Sequence, residues 1–438
     1  MDAMRVRLGG HVCDREPRPR TATATATANR DRDRDRDRRP RTATGDRDRE
    51  PRPATAKRER LPCAALGLAM LAATLAVPAQ TPPPPAASAE APAEAAAAPP
   101  RKPALPPTKV KPVEFRDLLS DTPAMRAVDR ALEFLALSQE PDGSWTSGIG
   151  KSTGIVSLAT LAFLARGHVP GRGKHGAVVG RAIEWVLQQN RDGLLVRDTS
   201  HGPLYCHAMA TLMLGEVLGM ADEDRKGLQG LSRIHQSAVN VLLRAQAVPR
   251  EPSAQGGWRY NPTSSDSDLS VSGWVVLALR AAQSAGAQVP RRNIDQALAY
   301  VKRCAHPLGG FGYQPGGDPN LARTGTGVLV LQLCGDHNSP EALRGGDYLR
   351  KHPLAWRGPF FFYSVYYAAQ GVYQVGGPGW EEWRKGLEPL LLKYQAFDGS
   401  WPSPPDETHE YQAGPIYRTA MAVLTLTVEL RYLPIYQR

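Results

Sequence analysis

Two copies of one short string constrain the fold of this chain more than any other feature. The segments Gln139-Glu-Pro-Asp-Gly143-Ser-Trp145 and Gln395-Ala-Phe-Asp-Gly399-Ser-Trp401 each end a run of helical apolar periodicity. So specific a string in two places indicates an internal repeat, whose units bury their apolar faces by stacking on one another. The number of such units therefore decides the fold.

The first 112 residues differ in composition from the rest of the chain. Residues 1–60 contain repeated Thr-Ala and Arg-Asp dipeptides and segments rich in Arg and Pro. This composition is typical of disordered sequence. Residues 61–79 follow a basic stretch and combine an apolar run with small residues, as in a signal peptide, with an uncleaved anchor as the alternative. Residues 80–112 are rich in Pro and Ala and predict a linker. We therefore expect an exported protein, periplasmic or membrane-anchored outside the cytoplasm, with one folded domain over 113–438.

Charge and cysteine content exclude several classes of partner. Residues 1–60 contribute +7 to the net charge of +11, and residues 61–112 contribute +2. The remaining domain is nearly neutral and lacks the excess of positive charge that nucleic-acid binding requires. Cys206, Cys304 and Cys334 are too scattered for a disulfide framework or a Cys-x-x-Cys metal site. Cys206 and His207 are adjacent, so on a helix they point about 100° apart. No metal and no cofactor are expected.

Apolar periodicity from residue 113 onward predicts about a dozen helices of two alternating kinds. Amphipathic helices suit an outer layer, whereas helices that are apolar on nearly every side must be enclosed. The enclosed runs are mostly shorter than a membrane span, so we expect enclosure by protein. Six hairpins of one outer and one inner helix predict an all-α domain, an (α/α)6 barrel or toroid. The outer helices are predicted at 123–139, 175–190, 224–246, 291–304, 340–351 and 379–396, and the inner ones at 155–164, 204–218, 271–279, 328–333, 360–373 and 416–430.

The turns that join an outer to an inner helix repeat one chemistry, a Gly followed by an aromatic residue. Gly supplies the positive φ that ends a helix and reverses the chain. The aromatic side chain can then cover the end of the neighbouring hairpin. Besides the two strings, the pattern occurs at Gly256-Gly257-Trp258 and Gly309-Gly310-Phe311, and more weakly at Asp192-Gly193.

The repeated string resembles the QW repeat of squalene–hopene cyclases and oxidosqualene cyclases. The resemblance spans 113–438 and implies the α/α toroid of triterpene cyclases and protein prenyltransferase β subunits. It extends to exported squalene-cyclase-repeat proteins of unassigned role. A complete squalene–hopene cyclase has two toroidal domains, and this chain has length for one. The first copy matches at Arg130, Ala131, Phe134, Leu135, Gln139, Gly143 and Trp145, whereas the second has Gly386, Leu387 and Leu390 at positions that depart from the pattern.

One acidic segment, Asp266-Ser-Asp268-Leu269, resembles the Asp-x-Asp-Asp motif of class II terpene cyclases. The resemblance places Asp268 at the proton donor and Asp266 at its partner, with Leu269 in place of a second partner. Protonating an alkene requires a carboxyl that its surroundings keep neutral. The alternative is structural, because an Asp just before an apolar run is a favoured helix N-cap.

Further candidates surround the expected cavity. Seven aromatic residues fall on the inner helix predicted at 360–373, more than packing alone requires, and aromatic faces can accommodate isoprenoid chains or stabilise cations. Polar residues near the starts of inner helices would lie at the cavity mouth. The predicted substrate-binding residues are Trp274, Phe361, Tyr363, Tyr366, Tyr367, His201 and His207.

Three functions remain open at this point. The first is an exported toroid that binds a hydrophobic small molecule, such as an isoprenoid or other lipid, or a protein partner, through its central cavity or rim, with possible membrane association. The second is a class II terpene cyclase-like enzyme with Asp268 as general acid. The third is a carbohydrate-active α/α-barrel enzyme, which would need paired carboxylates at the mouth.

Overall fold

Twelve α-helices in two alternating layers make up the described part of the chain. A computed structural model describes residues 121–197, 202–220 and 228–437. The outer helices are α1 (Pro123–Leu137), α3 (Gly176–Gln188), α5 (Leu228–Gln246), α7 (Arg291–Arg303), α9 (Pro340–Lys351) and α11 (Pro378–Tyr394). The inner helices are α2 (Thr153–Ala165), α4 (Pro203–Met220), α6 (Leu269–Ser284), α8 (Leu321–Leu333), α10 (Phe361–Val375) and α12 (His409–Leu426).

The inner helices close into a ring. Each one packs against the next inner helix along the chain, and α12 packs against α2. Every residue of α2 is buried, whereas the outer helix α1 buries one face, with Val128, Leu132 and Leu135 at helical spacing. This arrangement confirms the predicted all-α toroid.

The β-structure of the described chain consists of two short antiparallel hairpins in turns and two isolated antiparallel bridges, Trp258 with Asp268 and Ala305 with Phe311. The hairpins pair β1 (Thr146–Ser147) with β2 (Gly150–Lys151), and β3 (Asn190–Arg191) with β4 (Leu194–Leu195). None of the described helices is long and apolar enough to cross a bilayer. The predicted head, signal or anchor segment and linker fall outside the described residues.

Several inner helices begin earlier than their apolar runs suggested. Helix α8 begins at Leu321 because the side chain of Asn320 caps it, accepting from the amide of Arg323 at 2.9 Å. Helix α12 begins at His409 and is interrupted at Gly414, which has a non-helical φ of 85° and is followed by Pro415. A polar cap in α8 and a kinked first segment in α12 thus place the helix starts before the apolar runs that periodicity detects.

The repeated string forms a clamp between neighbouring hairpins. In the first copy the Gln139 amide donates to Gly143 O at 3.0 Å within its own turn and to Val178 O at 2.9 Å on the next outer helix, α3. The indole of Trp145 donates to Leu135 O at 2.8 Å and is fully buried. A single amide group therefore binds its own turn to the following hairpin.

The second copy closes the ring. Gln395 donates to Gly399 O at 3.0 Å and to Ala127 O of α1 at 2.8 Å, so the last hairpin is tied to the first. The indole of Trp401 donates to Leu391 O at 2.9 Å, as the indole of Trp145 does to Leu135 O in the first copy.

A third clamp lies in the middle of the ring, at the Gly256-Gly257-Trp258 turn that the sequence indicated, but sequence inspection missed its glutamine. Gln246 donates to Gly256 O at 2.8 Å and to Asn293 O of α7 at 2.9 Å, and Trp258 donates to Leu242 O at 2.8 Å. Ten positions separate its Gln from its Gly, against four in the first copy. The longer turn hid a set of contacts that is otherwise the same.

Glycine is required at the centre of each clamp. Gly143, Gly256 and Gly399 have φ between 88° and 92°. A Cβ on any of them would lie 2.3–2.4 Å from a carbonyl oxygen of the neighbouring outer helix, far inside contact distance. The backbone of each turn therefore approaches the next helix more closely than any side chain allows.

We predict that Gln246→Ala lowers the free energy of unfolding by about 2 kcal/mol, because it removes the donations to Gly256 O and Asn293 O and the acceptor of the Asn293 side chain. Urea denaturation monitored by circular dichroism measures this change. The matched control is Gln188→Ala at an exposed position, which should change stability by less than about 0.5 kcal/mol. Equal effects of the two substitutions would contradict the clamp.

Candidate functional site

The turns between outer and inner helices surround one opening of the ring, which we call the turn-side mouth. Each hairpin repeats the same outer-then-inner order, so all inner helices start at this end. Neighbouring turns and helix starts are bonded in sequence: Leu204 N donates to Tyr260 O, and Leu269 N donates to Tyr313 O, both at 2.9 Å. These bonds join the second, third and fourth hairpins at the mouth, where side chains from several hairpins also meet.

Asp268 lies at the mouth as the N-cap of α6. Its Oδ1 accepts from Val271 N at 2.9 Å, its Oδ2 accepts from the Arg259 guanidinium at 3.2 Å, and no part of the residue is exposed. Burial raises the pKa of Asp268 to about 6, although the Val271 amide and the Arg259 charge oppose the shift. Both carboxyl oxygens thus accept from N–H groups, which favours the structural interpretation as a cap over the role of proton donor.

Asp266 does not contact Asp268 as a proton-sharing partner would. Its side chain is half-exposed and lies 3.2 Å from Nε of Arg259. Asp268 contacts a different nitrogen of the same guanidinium, Nη1, also at 3.2 Å. The Arg259 guanidinium therefore binds both acids, and neither carboxyl donates to the other. The arrangement differs from the strong acid that the sequence motif suggested.

An Arg-Tyr cluster forms the polar part of the mouth beside Asp268. The guanidinium of Arg259 lies 5.0 Å from the ring centre of Tyr260 and 5.3 Å from that of Tyr313. The two tyrosine hydroxyls are 2.7 Å apart. The guanidinium of Arg323 also lies over the Tyr313 ring, 5.4 Å from the ring centre. These four side chains are partly exposed and come from two different turns and helix α8.

On another part of the mouth, Glu410 caps a helix other than its own. Its carboxylate accepts from Phe362 N at 2.9 Å and Tyr363 N at 2.8 Å, at the start of α10. Helix α10 has no cap of its own, because Phe360 occupies the N-cap position with φ of 56°. Burial raises the pKa of Glu410 to about 7, against the effect of the two amides. No local sequence signal marks Glu410, since its partners lie on a different helix.

Predicted ligand-binding aromatics fill the centre of the ring instead of lining an open space. Trp274 stacks on Tyr366 at 5.8 Å with an interplanar angle of 9°, and meets Tyr367 edge-on at 5.4 Å. Tyr363 contacts Tyr367 at 4.8 Å, and the indole of Trp274 donates to the Tyr205 hydroxyl at 3.2 Å. We call these five residues the aromatic column. Trp274 and Tyr367 are wholly buried, so the expectation of an open aromatic-lined cavity is not met at this level.

Two other predicted residues face away from the axis. Phe361 packs against Trp356 at 4.8 Å, outside the column. His207 is wholly buried, where it accepts from Leu195 N at 3.0 Å while its other ring nitrogen lies 3.0 Å from Ala238 O of α5. His207 therefore joins the inner and outer layers and does not line the mouth. His201 lies outside the described residues.

Within the described ranges, no three His, Cys, Asp or Glu side chains are placed to hold a metal ion. Cys206, Cys304 and Cys334 form no disulfide there.

Large apolar side chains are exposed around the mouth. Leu137 ends α1, Leu308 and Phe397 lie in turns, and Phe360 and Tyr411 stand at the starts of α10 and α12. Their exposed fractions run from 44% for Phe360 to complete exposure for Phe397. We call these five residues the turn-side apolar set. In the described chain one further large apolar residue, Leu343, is exposed, and it lies on the outer helix α9.

Comparison with known proteins supports the fold and leaves the activity open. No family model matches the chain. A 190-residue stretch is 26% identical to drimenyl diphosphate synthase of Streptomyces showdoensis, which corresponds to 43% of this chain and 32% of that protein. The chain thus matches about a third of the length of this relative, a terpene synthase, and the relation is weak.

Solved structures show the same architecture at very low identity. An α-1,6-mannanase of Salegentibacter sp. HEL1_6 aligns with a TM-score of 0.52 at 8% identity, covering 70% of this chain and 99% of the mannanase. The type II terpene cyclase MstE from Scytonema aligns over 70% of this chain with a TM-score of 0.32 and 13% identity, which is too weak to argue from. The mannanase likeness establishes an α/α toroid and says nothing of the substrate.

We predict that Asp268→Ala lowers the free energy of unfolding by about 1–2 kcal/mol, because α6 loses its cap and Arg259 a buried partner. Asp268→Asn should cost less than Asp268→Ala, since Asn also caps helices. Asp266→Ala, at a half-exposed ion pair, should change stability by less than about 1 kcal/mol. Chemical denaturation of the three variants checks this order. A fully stable Asp268→Ala protein would remove the structural role and leave a catalytic one.

Proposed function

We propose that the protein is an α/α-toroid scaffold that binds a protein partner through its turn-side face. The observation that carries the proposal is the position of the turn-side apolar set, which lies on the turn side of the first, fourth, fifth and sixth hairpins. Exposed apolar side chains that share one face of a domain can serve as an interaction site. Export, as indicated by residues 61–79, would place the partner outside the cytoplasm.

The Arg-Tyr cluster at the same face also suits recognition of a protein. The mouth contributes Tyr260, Tyr313, Arg259 and Arg323, partly exposed and held in place by mutual contacts. Tyr and Arg, together with large apolar side chains, are the residue types enriched at the energetic centres of protein interfaces. Because ion pairs and hydrogen bonds already position them, little side-chain entropy is lost on binding.

The filled centre argues against a hydrophobic ligand deep in the ring. Trp274, Tyr366 and Tyr367 occupy the axis and contact one another directly. A lipid chain could enter only if these packed rings moved apart, which would cost a large part of their burial energy. Binding at the rim requires no such rearrangement.

Photo-crosslinking tests the proposed face. A photoreactive phenylalanine analogue at position 397 should capture a protein in the native host, whereas the same analogue at position 343 on α9 should not. With the captured partner purified, Phe397→Asp and Leu308→Asp should each raise the Kd about tenfold or more. A tenfold rise corresponds to a loss of about 1.4 kcal/mol of binding free energy. Leu343→Asp is the matched control and should leave Kd unchanged. Equal losses in all three variants, or no captured protein, would contradict the proposal.

A terpene cyclase-like reaction is the second candidate, and two observations favour it. One is the partial identity to drimenyl diphosphate synthase, and the other is the raised pKa of Asp268, about 6 through burial. If the scaffold proposal is right, purified protein incubated with squalene or a linear isoprenoid diphosphate yields no cyclic product by gas chromatography and mass spectrometry. A cyclic product that Asp268→Asn abolishes would establish the enzyme instead.

A further inference from the structure

The end of the chain covers the opening of the ring opposite the turn-side mouth. Residues Leu433–Tyr436, which we call the C-terminal plug, pack against α4 and α6, and the side chains of Leu433, Ile435 and Tyr436 are buried. Residues from the C-terminal halves of α2, α10 and α12, namely Ala165, Gln370 and Leu424, line a small hollow beside the plug. The plug therefore lies where the inner helices end.

Contacts of the plug reach the base of the aromatic column. The Tyr436 hydroxyl lies 3.0 Å from the hydroxyl of Tyr366, a member of that column. Pro434 lies against Gly219 so closely that a Cβ there would be 2.9 Å from the proline ring. With the plug in place, the column is sealed from this side.

One carboxyl group lies directly beneath the plug. Glu216 of α4 is wholly buried, and its Oε2 accepts from Ile435 N at 3.4 Å. Its Oε1 has no hydrogen-bond partner among the described residues. The carboxyl therefore has one weak donor, which comes from the plug itself.

Among the described residues, no cationic side chain contacts Glu216, and the cation beside the plug, Arg431, donates to Tyr436 O at 2.8 Å. Tyr436 of the plug and Tyr366 of α10 are neutral phenols, and Ala281 of α6 packs against the adjacent Gly215. His235 of α5 also lies against Gly215, and burial lowers the pKa of His235 to about 4, so it is neutral at physiological pH. An ionised Glu216 would be buried without a cation in contact with it among the described residues.

We propose that the C-terminal plug is a releasable closure of the ring and that deprotonation of Glu216 releases it. A buried carboxylate with one weak donor is costly, and withdrawal of the plug would let water reach it. This device is independent of the partner proposed for the turn-side face. Its consequence is a pH-controlled exposure of the base of the aromatic column to water.

The direction of the pH dependence follows from burial. Burial raises the pKa of Glu216 to about 8 in the closed state, against an ordinary value of 4.5. The closed state therefore binds the proton more tightly than the open one. If Glu216 regains its ordinary pKa on release, the closed-to-open ratio falls about tenfold per pH unit between about pH 4.5 and 8 and is flat outside that window.

Hydrogen exchange of the plug amides, corrected for intrinsic rates, measures this ratio. In the wild-type protein the protection of the Ile435 and Tyr436 amides should fall about a hundredfold from pH 5 to pH 7. Glu216→Gln has the same shape but cannot ionise, so its plug should keep constant protection across this range. Glu429→Gln, a partly exposed carboxyl just before the plug, is the matched control and should retain the wild-type pH dependence.

Core amides of α6 serve as an internal reference and should stay protected throughout, so the wild-type series is decisive even if a variant folds poorly. Three results would overturn the proposal: constant protection of the plug in the wild-type protein, the same loss in Glu216→Gln, or equal loss in the plug and in α6.

Discussion

The side-chain amide of a clamp glutamine is the contact on which the ring depends. At Gln139, Gln246 and Gln395 one NH2 group donates both to a carbonyl of its own turn and to a carbonyl of the next outer helix. Each clamp thus fixes a turn and the spacing to the following hairpin at the same time. The bond from Gln395 to Ala127 joins the last hairpin to the first, so a stack of hairpins becomes a closed ring.

Closure of the ring has consequences along its axis. The inner helices approach closely enough for Trp274 of α6 to stack on Tyr366 of α10. The rings that a cavity would expose to a ligand pack on one another instead, and the centre contributes to stability. The two ends of the ring then differ: the turn side presents exposed apolar side chains with Arg and Tyr residues, and the opposite end is closed by the C-terminal plug over Glu216.

The fold was predictable from sequence for a physical reason. Inner helices that are apolar on all sides have to be enclosed, and alternation with amphipathic helices leaves a two-layered ring as the arrangement that encloses them. Periodicity reports which residues point inward, but it does not report whether their side chains leave space. For that reason the inward position of Trp274 and Tyr367 was foreseen, and the filled centre was not.

The site was less predictable because its contacts are not local in sequence. The cap by Asp268 has a local signature and was foreseen as the alternative to catalysis. Glu410 caps α10 from α12, and Gln246 acts across a longer turn, so neither follows a fixed spacing. The plug depends on a contact between Glu216 and Ile435, which lie on distant parts of the chain.

The central claim is that the ring has a filled axis and recognises its partner at the turn-side face. Native mass spectrometry of protein purified from the membrane fraction of its own host tests this claim most directly. The account predicts the mass of the chain without a bound lipid, alone or with a bound protein that Phe397→Asp releases. A co-purifying isoprenoid or other lipid that survives Phe397→Asp and is lost when Trp274 is changed would contradict it.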